Sequence, residues 1–117
     1  MGGKGAKVKG YRYEKEIEKD GENHGIKIVR TWCSDGRSAG YTKEVDLIAE
    51  TGETKTLIQA KRRRKLSKTY IPSCGIDAVV MREDHGESVL CCRFNDWLTD
   101  QKRIIDLEIE LKKYKGE

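Results

Sequence analysis

The sequence predicts an α/β domain, a mixed β-sheet with helices against it. Two observations carry that prediction. Apolar residues cluster in strand-length runs over residues 25–30, 45–49, 56–60, 76–82 and 88–94, and two of these runs are joined by a hairpin turn. Helical spacing appears at both ends of the chain, thinly over Tyr11–His24 and clearly over Asn95–Tyr114. The expected order is helix, strand, hairpin, short connection, two strands, helix.

At 117 residues the chain suits one domain with a single modest core. Charged residues make up 38% and hydrophobic residues 36%, so the core has to be lean and the surface dense with charge. The clustering of apolar residues argues against disorder throughout. No apolar run is long enough to span a membrane, and the Gly/Lys-rich N-terminus lacks a signal-peptide pattern, so an intracellular protein is expected. The net charge of +4 is mild, but seven basic residues and no acid fall between Lys55 and Lys68. Such a stripe suits phosphate contact, and a solvated strand end accounts for Arg62–Lys65 equally well.

Residues 1–10 hold four glycines and three lysines (Lys4, Lys7, Lys9) with almost nothing to bury, which reads as a flexible basic arm ahead of a domain over residues 11–117. Tyr11–His24 reads as a helix with Tyr13 and Ile17 one turn apart and a stop at His24-Gly25. Gly21 inside it costs about 1 kcal/mol against alanine, so an early end is expected. Residues 25–30 alternate into a strand, and residues 31–42 form a Ser/Gly/Asp-rich loop. After the hairpin, a basic connection ends in the only proline, Pro72. Ile76–Arg82 and Ser88–Phe94 are two more strands around the polar turn Glu83–Glu87.

The last helix has Asn95 as its expected N-cap, Asp96 in the first turn and Lys112, Lys113 and Lys115 in the last. Trp97, Ile104, Leu107, Leu111 and Tyr114 fall at a/d spacing, widened by Leu98, Ile105 and Ile109. One flank can serve the core and the other a partner subunit, or both can serve the core. The cysteines (Cys33, Cys74, Cys91, Cys92) form no C-x-x-C pair, and neighbours Cys91 and Cys92 point to opposite strand faces. Free thiols are expected, with a disulfide left open.

The hairpin over Lys43–Arg64 carries the chemistry. With Gly52 and Glu53 as the loop, Asp46 lies opposite Gln59 and Ile48 opposite Leu57. Val45, Leu47, Ala49, Ile58 and Ala60 make one apolar face. The other face gathers Asp46, Gln59 and Lys61 at one end. A carboxylate, an amide oxygen and a cation are what metal-assisted phosphodiester cleavage needs, with Mg²⁺ taking oxygen ligands and the lysine helping the water or the phosphate. A second carboxylate has to come from elsewhere, and Glu14 is a candidate. A plain Asp46–Lys61 ion pair is the simpler alternative.

These residues resemble a known pattern. Asp46 followed after a strand by Gln59-Ala60-Lys61 is similar to the PD-(D/E)xK nuclease signature, with Val45 in the proline position and Gln59 in the acid position. The stretch from Lys9 to Arg30 and the segment Ser38-Ala39-Gly40 ahead of Val45-Asp46-Leu47 resemble archaeal-type Holliday-junction resolvases, over about residues 9 to 64. The resemblance implies a restriction-endonuclease-like fold: a mixed central sheet flanked by helices, ending in a long helix. It implies a homodimeric endonuclease that cuts branched, four-way DNA with Mg²⁺ or Mn²⁺. By position, Glu14, Asp46, Gln59 and the Ala60 carbonyl would hold metal, and Lys61 would assist catalysis. Ser38 would contact the phosphate, with Arg30 and Arg37 as helpers. Lys4, Lys7, Lys9 and Arg62, Arg63, Arg64 and Lys65 would touch the DNA backbone.

Three departures stand out. Gln59 replaces the usual Glu, the loop over residues 31–37 is longer than the family norm, and the stretch after Lys61 is too short for the long helix expected there. Other readings stay open: a restriction-type or replication-repair nuclease, a non-catalytic nucleic-acid-binding protein of the same fold, or a helix-mediated interaction module.

Overall fold

The computed structural model describes residues 3–31 and 44–116, with side chains from Gly10 onward. Its elements run α1 (Gly3–Asn23), β1 (Lys27–Arg30), β2 (Leu47–Thr51), β3 (Thr54–Ile58), a short 3₁₀ turn (Lys68–Tyr70), β4 (Ala78–Met81), β5 (Val89–Cys92) and α2 (Phe94–Tyr114). The α/β content matches the expectation. The strands form two antiparallel sheets, β1-β2-β3 and β4-β5, where one mixed sheet was expected. The chain correspondingly divides into two compact units, Met1–Arg62 with Leu98–Glu117, and Arg63–Trp97.

In the first unit β2 is the middle strand, and its burial follows from that place. Leu47 and Ala49 are fully buried, and Val45, Ile48 and Thr51 nearly so. Ile17 from α1, Ile26 and Ile28 beside and within β1, and Leu98 from α2 complete this core. The hairpin register is Ile48 against Leu57 and Thr51 against Thr54, as the Gly52-Glu53 loop requires. Gly52 has φ +66 and Glu53 does not share a positive φ, the pattern of a type II′ turn.

Helix α1 begins at Gly3, so the start expected at Tyr11 lies eight residues inside it. Lysines and alanine between the first glycines favour helix, and a continuous ladder from a long helix carries the weaker residues with it. The early end expected at Gly21 does not occur. A Cβ there would sit 2.6 Å from Ile28 Cδ1, so the glycine lets α1 pack close against β1. The helix stops at Gly25, as expected. Gly25 (φ +74) donates to the Glu22 carbonyl at 3.0 Å and Ile26 to the Gly21 carbonyl at 2.8 Å, the paired bonds of a Schellman motif. His24 Nδ1 adds a bond to the Asp20 carbonyl at 2.8 Å.

Helix α2 shows which of its two flanks is used. Leu98 is fully buried and Ile105 and Glu108 are half-buried, whereas Ile104, Leu107, Leu111 and Tyr114 are exposed. Lys112 near its end pairs with Glu53 of the hairpin turn at 3.1 Å.

The second unit is a smaller assembly. Val79 pairs with Cys91 and Val80 with Leu90 across β4 and β5, around a turn in which His85 takes a φ of 62. Phe94 and Trp97 stack at 5.9 Å. Arg93, not Asn95, stands at the cap position of α2, because its carbonyl accepts the N–H groups of Asp96 and Trp97. Its guanidinium donates to the carbonyls of Pro72, Ser73 and Ile76 at 2.9–3.1 Å, which fixes the cap two residues earlier than Asn95. Cys74, Cys91 and Cys92 are free thiols, and Cys33 lies outside the described residues.

Replacing Gly25 by alanine is expected to lower the unfolding free energy by about 1–2 kcal/mol, the cost of a left-handed backbone for an L-residue. Gly21→Ala is expected to destabilise as well, although alanine is the better helix former, and urea denaturation reads both. A Gly21→Ala variant at least as stable as the parent would mean that α1 does not need this close approach.

Candidate functional site

The candidate site lies where the three strands of the first sheet share an end. Arg30 ends β1, Leu47 starts β2 opposite it, and Ile58 ends β3 opposite Leu47. Asp46 sits one residue before β2 and is bound from both sides. Its N–H donates to the Ile58 carbonyl at 2.9 Å, and its carbonyl accepts the Thr31 N–H at 3.0 Å. The Thr31 hydroxyl lies within bonding distance of the Val45 carbonyl at 3.0 Å and of the Asp46 carbonyl at 3.3 Å.

The Asp46 side chain then does what the ladder no longer does. Its Oδ2 accepts the Ala60 N–H at 2.8 Å. A carboxylate, and not a backbone carbonyl, receives that donor, which is why β3 ends at Ile58 and not at Ala60 as the sequence suggested. The bond fixes Asp46 against Gln59-Ala60-Lys61, the juxtaposition the hairpin pattern predicts. Asp46 Oδ1 has no hydrogen-bond partner among the described residues. Gln59 and Lys61 are exposed, and Ala60 is half-buried.

Glu14 reaches the same end from α1. Among the described side-chain positions of that helix, Glu14, Ile17 and Gly21 are the buried ones, at i, i+3 and i+7. A buried carboxylate needs a compensating charge, and Arg30 Nη1 stands 3.7 Å from Glu14 Oε1. Arg30 Nε lies closer to Glu18, at 3.2 Å, and its guanidinium carbon sits 4.3 Å from the centre of the Tyr11 ring. Through Arg30 and its neighbour Thr31, Glu14 and Asp46 belong to one continuous set of contacts.

The oxygen donors here are two carboxylates, the Gln59 amide and the Ala60 carbonyl. All are hard ligands of the kind Mg²⁺ or Mn²⁺ takes, and they fit such an ion better than zinc. Among the described residues no three His, Cys, Asp or Glu side chains group as a metal site, and the Gln59 position of this set is an amide.

The matching family model is that described as archaeal Holliday junction resolvase (Hjc), over residues 5–114. The chain belongs to this family. Its members are junction-resolving nucleases by description, and the match runs well beyond the stretch of about residues 9 to 64 on which the sequence resemblance rests. No individual curated protein matches, and no solved structure does.

Of the expected resolvase residues, Glu14, Arg30, Asp46, Gln59, Ala60 and Lys61 come to this end of the sheet. Ser38 and Arg37 lie outside the described residues, as does most of the loop expected to be long. Lys4, Lys7 and Lys9 lie on α1 by backbone only. Arg62 is exposed in the first unit, and Arg63, Arg64 and Lys65 are exposed in the second. No α-helix follows Lys61 before β4, in line with the expected departure.

Three contributors escaped the sequence reading: Thr31, Glu18 and Tyr11. Tyr11, Glu14 and Glu18 stand at i, i+3 and i+7, so helical spacing alone could have grouped them. Thr31 carries no comparable signal. Thr31→Val keeps the shape of that side chain and removes its buried hydroxyl bonds. A loss of about 1–2 kcal/mol is expected in urea denaturation, together with a lower cleavage rate, since the hydroxyl holds the backbone at Asp46.

Proposed function

We propose that the protein is a metal-dependent endonuclease that resolves four-way DNA junctions by hydrolysing phosphodiester bonds. The observation that carries this reading is the Asp46–Ala60 bond, which seats the Gln59-Ala60-Lys61 motif against one carboxylate at the end of the sheet where Glu14 also arrives. Membership of the resolvase family supplies the substrate class.

In this reading Asp46 Oδ1, the Glu14 carboxylate, the Gln59 amide oxygen and the Ala60 carbonyl hold Mg²⁺ or Mn²⁺. The bound ion supplies Lewis acidity at the scissile phosphate and activates the attacking water. The Ala60 N–H occupies Asp46 Oδ2 and so orients the other oxygen toward the ligand set. Lys61, one residue beyond the ligands and exposed, contributes a positive charge where negative charge develops on the phosphate. Ser38 and Arg37, which precede β2 in the sequence, are proposed to contact that phosphate, with Arg30 as a further helper. Lys4, Lys7, Lys9 and Arg62–Lys65 hold the backbone of branched DNA without reading bases. Gln59 carries one negative charge fewer than a glutamate, so the site relies more heavily on Glu14 and Asp46.

A homodimer belongs to the same reading, because two nicks placed symmetrically need two sites. The exposed seam of Ile104, Leu107, Leu111 and Tyr114 on α2 supports it. No helix among the described residues is long and apolar enough to cross a membrane; action inside the cell follows, in this reading, from the DNA substrate.

With Mg²⁺ present, the protein is expected to cut a synthetic four-way junction far faster than linear duplex of the same sequence. Equal rates would leave a general nuclease and remove the resolvase reading. Asp46→Asn is expected to slow cleavage by about a hundredfold or more while junction binding in gel shift persists. Cleavage that survives in this variant would dismiss the metal site. Gln59→Glu is expected to tighten Mn²⁺ binding by about tenfold, since affinity follows the charge of the ligand set. Sedimentation is expected to give a dimer that Leu107→Glu with Leu111→Glu converts to a monomer.

A further inference from the structure

Helix α2 carries charge on both sides of its apolar seam, and the chain itself uses only part of it. Toward the first sheet, Lys112 pairs with Glu53 at 3.1 Å and the half-buried Glu108 lies against Gly52 of the hairpin turn. Along the helix, Lys102 pairs with Asp106 at 3.0 Å. The seam of Ile104, Leu107, Leu111 and Tyr114 stays open, with Tyr114 89% exposed. Arg103, Glu110 and Lys115 border it, are exposed, and enter no ion pair among the described residues.

The placement of these charges selects both a partner and a direction. With Ile104 and Leu111 at a and Leu107 and Tyr114 at d, Arg103 and Glu110 fall at g, and Glu108 and Lys115 at e. In two parallel helices each g residue meets the following e residue of the other copy. Arg103 then faces Glu108 and Glu110 faces Lys115, so all four such contacts around the twofold axis are attractive. An antiparallel pair brings e to e and g to g. Stacking the same four layers that way sets Glu108 against Glu108 and Glu110 against Glu110. Isoleucine at a with leucine at d also favours two strands. The pattern is complementary to itself and needs no other protein.

We propose that α2 pairs in parallel with α2 of a second copy, through this seam and the ion pairs Arg103–Glu108 and Glu110–Lys115. This rests on the homodimer of the proposed function and adds its direction and its ion pairs. Two heptads are short for a free coiled coil, but here the first unit already holds α2 as a helix, so pairing need not form it. A parallel pair has its twofold axis along the helices, so the Asp46 side chains of both copies lie at one height along it.

Sedimentation equilibrium of the full chain without DNA measures the dimer dissociation constant. Glu110→Lys and Lys115→Glu are each expected to weaken the dimer by about tenfold, since each turns two attractive contacts into repulsive ones. Both changes in one chain exchange the charges, and the dimer is expected to return to within about threefold of the parent. Antiparallel pairing would leave both single variants at the parental value. Unchanged circular dichroism shows that these exposed substitutions leave the fold intact. Tyr114→Cys reads the direction separately, because residues at d meet their own equivalents only in the parallel pair. Mild oxidation is expected to give a disulfide dimer beyond any formed by the parent's thiols. A dimeric parent with parental single variants, a double variant that stays weak, or no added cross-link at Tyr114→Cys overturns the parallel pairing and leaves the homodimer standing. A parent that stays monomeric overturns both.

Discussion

The register of the β2–β3 hairpin is the constraint on which the site depends. Side chains alternate with period two, so a slip by one residue would exchange the two faces of the pair. Leu47 and Ala49 would turn outward, and the Asp46 carboxylate would enter the core, where an unpaired charge is prohibitive. The Gly52-Glu53 turn fixes the register at one end, and the Asp46–Ala60 bond closes the other. One carboxylate therefore has a double task. It terminates the strand ladder with one oxygen, and its second oxygen is the one that the proposed function assigns to a metal ion.

That arrangement was legible because it follows from local rules. A glycine at the first loop position, an apolar face of Val45, Leu47, Ala49, Ile58 and Ala60, and an acid facing Gln-x-Lys define a hairpin without tertiary knowledge. The α/β class and the glycine stop of α1 were legible for the same reason. Gly21 was misread because a propensity scale counts only the backbone cost, whereas its absent Cβ admits Ile28. Arg93 was passed over as a cap because capping preferences describe side chains that accept backbone N–H groups. Here the side chain instead donates to three distant carbonyls, a tertiary relation that no local window contains. The separation of the strands into two sheets was likewise invisible, since strand patterns specify faces and not neighbours.

Charge is distributed around the site in a graded way. Glu14 is buried, Asp46 is half-buried with one oxygen occupied, and Gln59 is neutral. The proposed ligand set therefore contains less negative charge than one with a third carboxylate, and its self-repulsion is correspondingly lower. Arg30 offsets part of what remains from 3.7 Å. A folded metal-free state and the proposed metal site would make opposite demands on the same carboxylates, and moderated charges would serve both.

The bonds from Arg93 have a dynamic consequence for the second unit. A two-stranded hairpin is marginal by itself in water, and β4-β5 has Val80 and Leu90 largely exposed on one face. One guanidinium ties the first turn of α2 to the carbonyls of Pro72, Ser73 and Ile76, so these contacts are made or lost together. Opening of this unit is then a single cooperative event, well below the cost of unfolding the first. Its amides should exchange with solvent as one group, on a faster clock than those of β2.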